Sequence, residues 1–487
     1  MARASTVLVL LLICNYGTSE VFHFVLNKPP KGQHCCPIDN SKLWRKTIRG
    51  IKEDSSAVIE RFFNYEFYLP KAQLKAGLEY YGAARRLRKF VRTLLLGDNM
   101  PLKIGVIGGS ISSGVGTTSY ETRWFSIVSK WMRSVSGANI TSRNGCIPAT
   151  PSAYMLMCME MSVDEDVDLV FVEYSVNDGV ENVLVGNRIV KTMEQLVRRI
   201  MGLPRRPAVV LVQLPHLFGD IFEPFFHTSD DLEGALSGYY DIPSISLRNA
   251  LYPLAALYPT DGFLWNQTYG DTHPGDSGHK IIADLAVHLI QETARDLQLD
   301  PIDPEEEQEL MRPLPESMYF GNIPPPETEC IASTRFKGLV KKAVGWGWVN
   351  EAKDGNNRGK WGYVSTKPGS KLIFQVDTRR PGVAPSDQIP LLLHYLKSYR
   401  GMGIARAECR SGCACEPLDI DAGLKAYHSQ TIMIAIRVTQ HEKCEMQLTL
   451  LNSTTNNGYK FKVSGVTIVG SSDYPADFFT MEFWNQP

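Results

Sequence analysis

The central part of the chain alternates short runs rich in Val and Ile with longer amphipathic segments. Apolar runs of this length with many β-branched residues are typical of buried strands, and apolar residues at helical spacing are typical of helices packed on a sheet. The pattern predicts strands at 102–107, 138–142, 167–174 and 208–214, and helices at 124–135, 189–201 and 280–297. Strands and helices in alternation predict a parallel sheet covered by helices on both faces.

The pattern changes on either side of this α/β region. Residues 71–96 have apolar positions at helical spacing and predict a helix packed beside it. Prolines surround an acidic run in 300–326, which predicts a linker. Beyond Cys330, short apolar runs separated by Gly, Asn, Asp and Pro predict a β-sandwich. The predicted plan is a signal peptide at 1–19, an N-terminal helical extension at 20–95, an α/β domain at 96–299, a Pro/Glu-rich linker at 300–329 and a β-sandwich at 330–487.

Composition and the N-terminal segment narrow the function classes. A chain of 487 residues with 44% hydrophobic and 21% charged residues has room for two or three globular domains. A net charge of −1 argues against a general nucleic-acid binder. Arg3, an apolar run at 7–14 and small residues at Gly17 and Ser19 predict a secretory signal peptide whose apolar core is too short to span a bilayer. The sequence therefore predicts a secreted or luminal protein with no transmembrane segment.

The cysteines agree with an oxidising compartment. Of ten cysteines, Cys14 would leave with the signal peptide, and the odd number that remains requires at least one thiol without a partner in the chain. Cys409, Cys413 and Cys415 have part of the spacing of a metal knuckle, but no second cluster completes it, so disulfides are expected rather than a metal site. Glycosylation sequons at Asn139, Asn266 and Asn452 fit the same route.

The stretch 102–114 is where chemistry is expected, because an apolar strand breaks there into glycines and presents Ser110. The glycines do not fit a dinucleotide fingerprint in any register. A phosphate loop would need Lys where Val115 stands, and the nucleophile elbow of α/β-hydrolases would need Gly where Ser112 stands. None of these three glycine-loop types explains the stretch.

Four sequence blocks, at 108–112, 144–150, 173–178 and 273–284, occur in an order that resembles the SGNH (GDSL-type) serine hydrolase superfamily. The resemblance covers about 200 residues. It implies a flavodoxin-like three-layer α/β fold with a parallel sheet, here followed by a second, mostly β domain. It also implies hydrolysis of carboxylic esters without a metal or organic cofactor.

The resemblance implies specific roles for residues in these blocks. Ser110 would be the nucleophile and His273 the base that takes its proton, because a serine hydroxyl is a weak nucleophile at neutral pH. The Ser110 N–H, a backbone N–H of the second block and the Asn177 amide would stabilise the oxyanion. Ala149 stands where the family has a glycine donor, and Gly145 is the other candidate.

The acid of the triad is the weakest part of the resemblance. The family places it three residues before the histidine, where this chain has Gly270, whereas Asp271 lies two residues before His273. Two alternatives follow. Either Asp271 orients the His273 ring, or a backbone carbonyl does so and the site is a Ser-His dyad.

The predicted function is a secreted or luminal serine esterase that removes ester groups, chiefly O-acetyl groups, from a small-molecule or glycan substrate. One alternative is an acyltransferase using the same site, and another is a non-catalytic cell-surface or adhesion protein that keeps the fold. The C-terminal domain adds one open question. Its residues Trp346, Trp348 and Trp361 either stack on sugar rings or fill the core of the sandwich.

Overall fold

The first domain is built on a six-stranded sheet in the computed structural model, which describes residues 60–97, 101–179, 181, 183, 185–214, 229–257, 273–352, 359–425 and 428–475. Its strands are β1 (Leu78–Tyr80), β2 (Pro101–Gly108), β3 (Asn139–Asn144), β4 (Leu169–Glu173), β5 (Ala208–Gln213) and β6 (Ser244–Ser246). They lie in the order β1-β6-β5-β4-β2-β3. Strands β2 to β6 form parallel pairs, and β1 is antiparallel to β6. The predicted flavodoxin-like fold class is confirmed.

Helices cover both faces of the sheet. They are α1 (Lys71–Ala76), α2 (Arg85–Leu96), α3 (Ser110–Ser113), α4 (Trp124–Val135), α5 (Ser152–Cys158), α6 (Ser175–Asp178), α7 (Arg188–Met201), α8 (Asp230–Tyr240), α9 (Leu247–Leu257) and α10 (Asp276–Leu299). Alternate side chains of β4 enter opposite cores: Leu169 and Phe171 pack with α2, α4 and α10, whereas Val170 and Val172 pack with α5, α7 and α8. Burial on both faces explains why the parallel strands read as continuous apolar runs.

The region 71–96 differs from the single predicted helix. It contains α1, the edge strand β1 and α2. Gly77 ends α1, and a Cβ there would lie 2.5 Å from a side-chain carbon of Leu285. Gly82, with φ of +62°, makes the turn before α2 in a conformation that favours glycine. These two glycines interrupt the helical spacing.

Residues 300–327 are docked on the first domain. They include the helix α11 (Pro304–Met311), whose Glu306 accepts a 3.0 Å ion pair from the buried Arg88 of α2. Farther along, the buried Asn322 donates a hydrogen bond to Glu194 of α7. The segment therefore packs against the α/β domain at two places, α2 and α7.

The second domain is a sandwich of two antiparallel sheets. Its elements are β7 (Thr328–Ala332), α12 (Thr334–Leu339), β8 (Val340–Val344), β9 (Gly347–Asn350), β10 (Trp361–Ser365), β11 (Lys371–Val376), β12 (Ile389–Ser398), β13 (Ile404–Ser411), β14 (Leu418–Asp421), β15 (Ser429–Val438), β16 (Cys444–Leu450) and β17 (Phe461–Val469). One sheet has the order β15-β12-β17-β10-β9, with β7 also paired to β17, and the other has the order β14-β13-β16-β11-β8. The predicted mostly β second domain is confirmed.

One of the apolar clusters contains residues from both domains. The cluster on the α5 and α7 face of the parallel sheet continues into the sandwich through Leu392, Met433 and Val469. Helix α5 is buried along its whole length between the two domains. Its last residue, Cys158, forms a disulfide with Cys330 of β7, so a covalent bond joins the domains at this interface.

The other described cysteines also agree with the sequence. Cys409 pairs with Cys415 and Cys413 with Cys444, as expected for disulfides rather than a metal knuckle. Cys146 is buried, does not belong to the three disulfides of the described residues, and its Sγ lies 3.7 Å from the Val106 carbonyl. Within the described part of the chain, no helix has the length and apolar character needed to cross a membrane. The predicted signal peptide and the sequon at Asn266 lie outside the described residues, whereas Asn139 and Asn452 are exposed.

Candidate active site

The site lies at the carboxyl edge of the parallel sheet, where the strand order reverses. Ser110 begins α3 directly after β2, and Asn177 lies in the short helix α6 directly after β4. Strands β2 and β4 are neighbours, while β3, the next strand in the chain after β2, lies on the other side of β2. Loops diverge at such a reversal and leave a crevice, which is the usual ligand site of open α/β sheets.

Ser110 and His273 are in hydrogen-bond contact. The Ser110 Oγ and His273 Nε2 atoms are 2.7 Å apart, although the residues are separated by 163 positions. This is the distance that proton transfer from a nucleophile to its base requires. Both side chains are half-buried, so a substrate can approach them from solvent.

The segment after Ser110 fixes the position of His273. The Thr118 N–H donates to Asp276 Oδ1 over 2.9 Å, and the Thr118 hydroxyl donates to Oδ2 over 2.5 Å. Gly116 has φ of +98°, and any side chain there would collide with the Pro274 carbonyl oxygen. The glycine-rich sequence thus lets the backbone of the Ser110 segment lie against the backbone of the His273 segment.

Asn177 is the third residue at this point. A side chain on Gly109 would collide with Asn177 Oδ1, so the Asn177 amide lies against the backbone immediately before Ser110. The structure thus brings Ser110, His273 and Asn177 together at one edge. Asp271 and Gly270 lie outside the described residues, and the identity of the acid stays a prediction.

Residues 144–151 are called the oxyanion loop because the sequence predicts an oxyanion donor there. The loop contains both candidate backbone donors, Gly145 and Ala149. The Gly145 N–H donates to the Val106 carbonyl over 2.8 Å, which continues the pairing of β3 with β2. The expectation that Gly145 could serve as the donor is therefore corrected, because its N–H is already used. The Ala149 N–H makes no hydrogen bond within the described residues.

Ala149 has an unusual backbone conformation. Its φ is +61°, in the left-handed region that costs an L-residue free energy and favours glycine. This explains why a glycine would be expected at this position in the resemblance. Ala149 is half-buried, as Ser110, His273 and Asn177 are.

A buried carboxyl group that sequence reasoning did not select lies beneath Ser110. Glu173 ends β4, is fully buried, and accepts hydrogen bonds from the N–H groups of Gly109 and Ser112. The Ser112 hydroxyl also bonds to Glu173 and itself accepts the Trp124 indole N–H over 3.0 Å. Burial raises the pKa of Glu173 from 4.5 to about 8, so the group is mostly protonated at neutral pH. The signal for it was a glutamate inside an apolar strand.

Asp178 connects Asn177 to the oxyanion loop. Its Oδ1 atom accepts the Ser152 N–H over 2.7 Å, at the start of α5. Asp178 is buried, and burial raises its pKa from 3.8 to about 7. The side chain next to Asn177 therefore holds the segment that follows Ala149.

The β domain also contacts the site. The buried Gln430, on the edge strand β15, donates its side-chain N–H to the Asn177 carbonyl over 2.7 Å. The next residue, Thr431, donates its backbone N–H to the Ala149 carbonyl, also over 2.7 Å. Nothing in the sequence pattern around β15 marks these residues.

The three tryptophans for which the sequence left two roles open, sugar stacking or core packing, have different environments. Trp346 is buried in the core of the sandwich. The Trp348 and Trp361 rings stack with centroids 5.9 Å apart and planes 9° from parallel, and Trp361 is 38% exposed. They lie on β9 and β10, at the opposite edge of the sheet from β15.

Two groups of residues are close enough together to hold a metal ion. One combines Cys158 and Cys330 with His394, and the other consists of Cys409, Cys413 and Cys444. Every cysteine in both groups belongs to a disulfide, so none offers a thiolate ligand. Within the described residues these clusters are therefore structural.

Comparison with solved structures identifies the two-domain fold. The chain is similar to the crystal structure of a two-domain esterase active on acetylated mannans, with a TM-score of 0.57 and 18% identity over 82% of this chain and 99% of that one. The structure of that esterase co-crystallised with mannopentaose matches equally well, with a TM-score of 0.57 and 18% identity over 84% of this chain and 99% of that one. No family model matches the sequence, and no curated protein matches it. At this identity the similarity establishes the fold and the order of the two domains.

Proposed function

We propose that the protein is a serine esterase that hydrolyses carboxylic esters through an acyl-enzyme on Ser110. The observation that carries this proposal is the 2.7 Å contact between Ser110 Oγ and His273 Nε2, beside the Asn177 amide. A large separation between these side chains would have removed the enzyme proposal and favoured the alternative of a non-catalytic protein that keeps the fold. Their contact supports an enzyme.

The reaction follows from the arrangement. His273 Nε2 takes the proton of Ser110 as Oγ attacks the ester carbonyl carbon, and the carbonyl oxygen becomes an oxyanion. The N–H groups of Ser110 and Ala149 and the Asn177 amide stabilise that charge. His273 then gives the proton to the leaving alcohol, and the C–O bond of the ester breaks. Water repeats the sequence on the acyl-enzyme, which releases the acid and free Ser110.

The acid that assists His273 is part of the proposal. Asp271 is proposed to accept the other ring N–H of His273, which would fix the ring orientation and stabilise the imidazolium that forms. Asp271→Asn should then lower kcat about 10²-fold or more. A change smaller than threefold would favour a backbone carbonyl as the partner of the ring.

For the substrate, we propose O-acetyl groups on a carbohydrate, encountered outside the cell or in the secretory pathway. The similar two-domain esterase is described as active on acetylated mannans. Trp361, which is 38% exposed and stacks on the half-buried Trp348, gives the β domain an aromatic surface on which sugar rings can stack. The interdomain disulfide is consistent with an oxidising compartment.

A fluorophosphonate probe tests the nucleophile directly. Wild type should be labelled, whereas Ser110→Ala and His273→Ala should not. Ser113→Ala is the matched control, because the Ser113 hydroxyl lies in the same helix and donates to the Ser110 carbonyl over 3.1 Å. Labelling that persists in Ser110→Ala would refute the assignment.

A second assay addresses the substrate. Acetate release from acetylated mannan, with and without an added sugar acceptor, separates hydrolysis from acyl transfer, because transfer consumes the ester without releasing acetate. Trp361→Ala should weaken binding of the deacetylated polysaccharide and leave hydrolysis of a small aryl acetate unchanged. Equal polysaccharide binding by wild type and Trp361→Ala would contradict the proposed stacking of sugar rings on Trp361.

A further inference from the structure

We infer that the β domain forms part of the catalytic machinery, because Gln430 and Thr431 of β15 hold the two loops that carry the oxyanion donors Ala149 and Asn177. This inference rests on the proposed esterase function and deepens it. Gln430 is a positioning residue: it touches the backbone behind Asn177 and acts through it.

The contacts come from the open edge of a sheet. Strand β15 is the outermost strand of its sheet and pairs on one side only, with β12. An edge strand has backbone groups that are not used within the sheet. Here the Thr431 N–H donates to the Ala149 carbonyl over 2.7 Å, so the edge of the sandwich is used to bind the oxyanion loop.

The contact at Ala149 fixes a backbone that is unfavourable by itself. The Ala149 N–H belongs to the peptide unit before its Cα atom, and its carbonyl belongs to the unit after it. A positive φ of +61° sets the angle between these two units and disfavours an alanine. Such conformations persist when the surroundings determine them. By holding the carbonyl, Thr431 helps to determine the direction of the N–H that faces the oxyanion.

The contact at Asn177 also holds a backbone carbonyl, here through the Gln430 side chain. Helix α6 has only four residues, too few to be stable alone. The Asn177 N–H donates to the Tyr174 carbonyl over 2.8 Å, and its own carbonyl accepts the Gln430 side chain over 2.7 Å. The backbone N–H and carbonyl of Asn177 are therefore both fixed, and its side-chain amide is held against Gly109.

The oxyanion loop is fastened to the β domain at a second place. Helix α5 follows the loop, is buried against the β domain, and ends at the Cys158–Cys330 disulfide. The segment 149–158 is thus held by a hydrogen bond at its start and by a covalent bond at its end. A sugar-binding module on a flexible tether would not need either contact.

The test replaces Gln430 and compares kinetics on an aryl acetate. Gln430→Met keeps the volume but removes the donor, and Gln430→Ala is a second variant should methionine disturb the packing. Both should lower kcat about 10- to 100-fold, because small displacements of catalytic groups have effects of this size. KM should change less than threefold, because the variant alters contacts made in the transition state rather than contacts to the bound ester. The rate of fluorophosphonate labelling should fall in parallel, since the phosphonyl oxygen occupies the same oxyanion hole.

Tyr474→Phe is the matched control. It deletes another buried interdomain hydrogen bond, from Tyr474 to Gln195 in the middle of α7, at 2.6 Å. It should lower the melting temperature as much as Gln430→Met does and leave kcat unchanged. Equal kcat in Gln430→Met, Gln430→Ala and Tyr474→Phe would overturn this inference. The proposed function would still stand if wild type is labelled at Ser110, and it fails separately if wild type is neither labelled nor active.

Discussion

Replacing Glu173 by glutamine should stabilise the protein increasingly as the pH rises. Glu173 is fully buried, and burial raises its pKa from 4.5 to about 8. Between these two values the native state keeps a proton that the unfolded state has released. Stability is therefore fully present below about pH 4.5 and is lost as the pH rises toward 8. A difference of about 3.5 pH units corresponds to a loss on the order of 5 kcal/mol.

Glutamine keeps the size and the carbonyl acceptor but does not titrate, so Glu173→Gln lacks this loss. The measurement is the melting temperature of wild type and variant from pH 4.5 to 8.5. At about 2–4 °C per kcal/mol for a domain of this size, the gap between them should widen by ~10 °C or more across the range. Glu173→Ala leaves the Gly109 and Ser112 N–H groups without an acceptor, and this variant should be less stable than Glu173→Gln at every pH. A gap between Glu173→Gln and wild type that stays constant with pH would refute the protonated glutamic acid.

Three other changes probe the supports of the site. Ala149→Gly should keep kcat within about threefold because glycine adopts a positive φ freely, whereas Ala149→Val should lose most activity; both are read from kcat and the melting temperature. Asp178→Ala should lower the free energy of unfolding by about 1–3 kcal/mol because it leaves the Ser152 N–H unsatisfied, and Asp178→Asn, which retains an acceptor, should lower it less; both are measured by urea titration. Replacing Cys158 and Cys330, whose disulfide spans 172 residues, by serine should lower the free energy of unfolding by up to ~5 kcal/mol. A reductant should then lower the melting temperature of wild type more than that of this double serine variant.

The sequence was most informative where chemistry follows a local pattern. The runs 102–107 and 167–174 predicted β2 and β4, and the glycines after β2 marked Ser110. Adjacent parallel strands end at the same edge, so Ser110 and Asn177 could be placed near each other without a structure. The order of the four blocks added His273, and the composition of the second half predicted the sandwich.

The parts that could not be predicted depend on contacts between distant segments. Gln430 reaches Asn177 from 253 residues away, and a polar residue at the start of an apolar strand gives no sign of this. Disulfide connectivity is not encoded in cysteine spacing, so the Cys158–Cys330 pair was not foreseen. Strand β1 was missed because three residues are too few to establish a period of two. Glu173 was visible in the predicted strand, but its role depends on which amides lie above it.

The contact between β15 and the α/β loops also sets the order in which the site can be completed during biosynthesis. Asn177 and Ala149 are synthesised well before Gln430 and Thr431, and 253 residues separate Asn177 from Gln430. At about 5–20 residues per second, the ribosome needs roughly 10 to 50 s to reach the residues that hold these loops. During that interval the proposed nucleophile Ser110 has been made, but the loops that carry Ala149 and Asn177 lack their support. If Ser110 is the nucleophile as proposed, a nascent chain carries it without full activity until the last strands of the sandwich have folded.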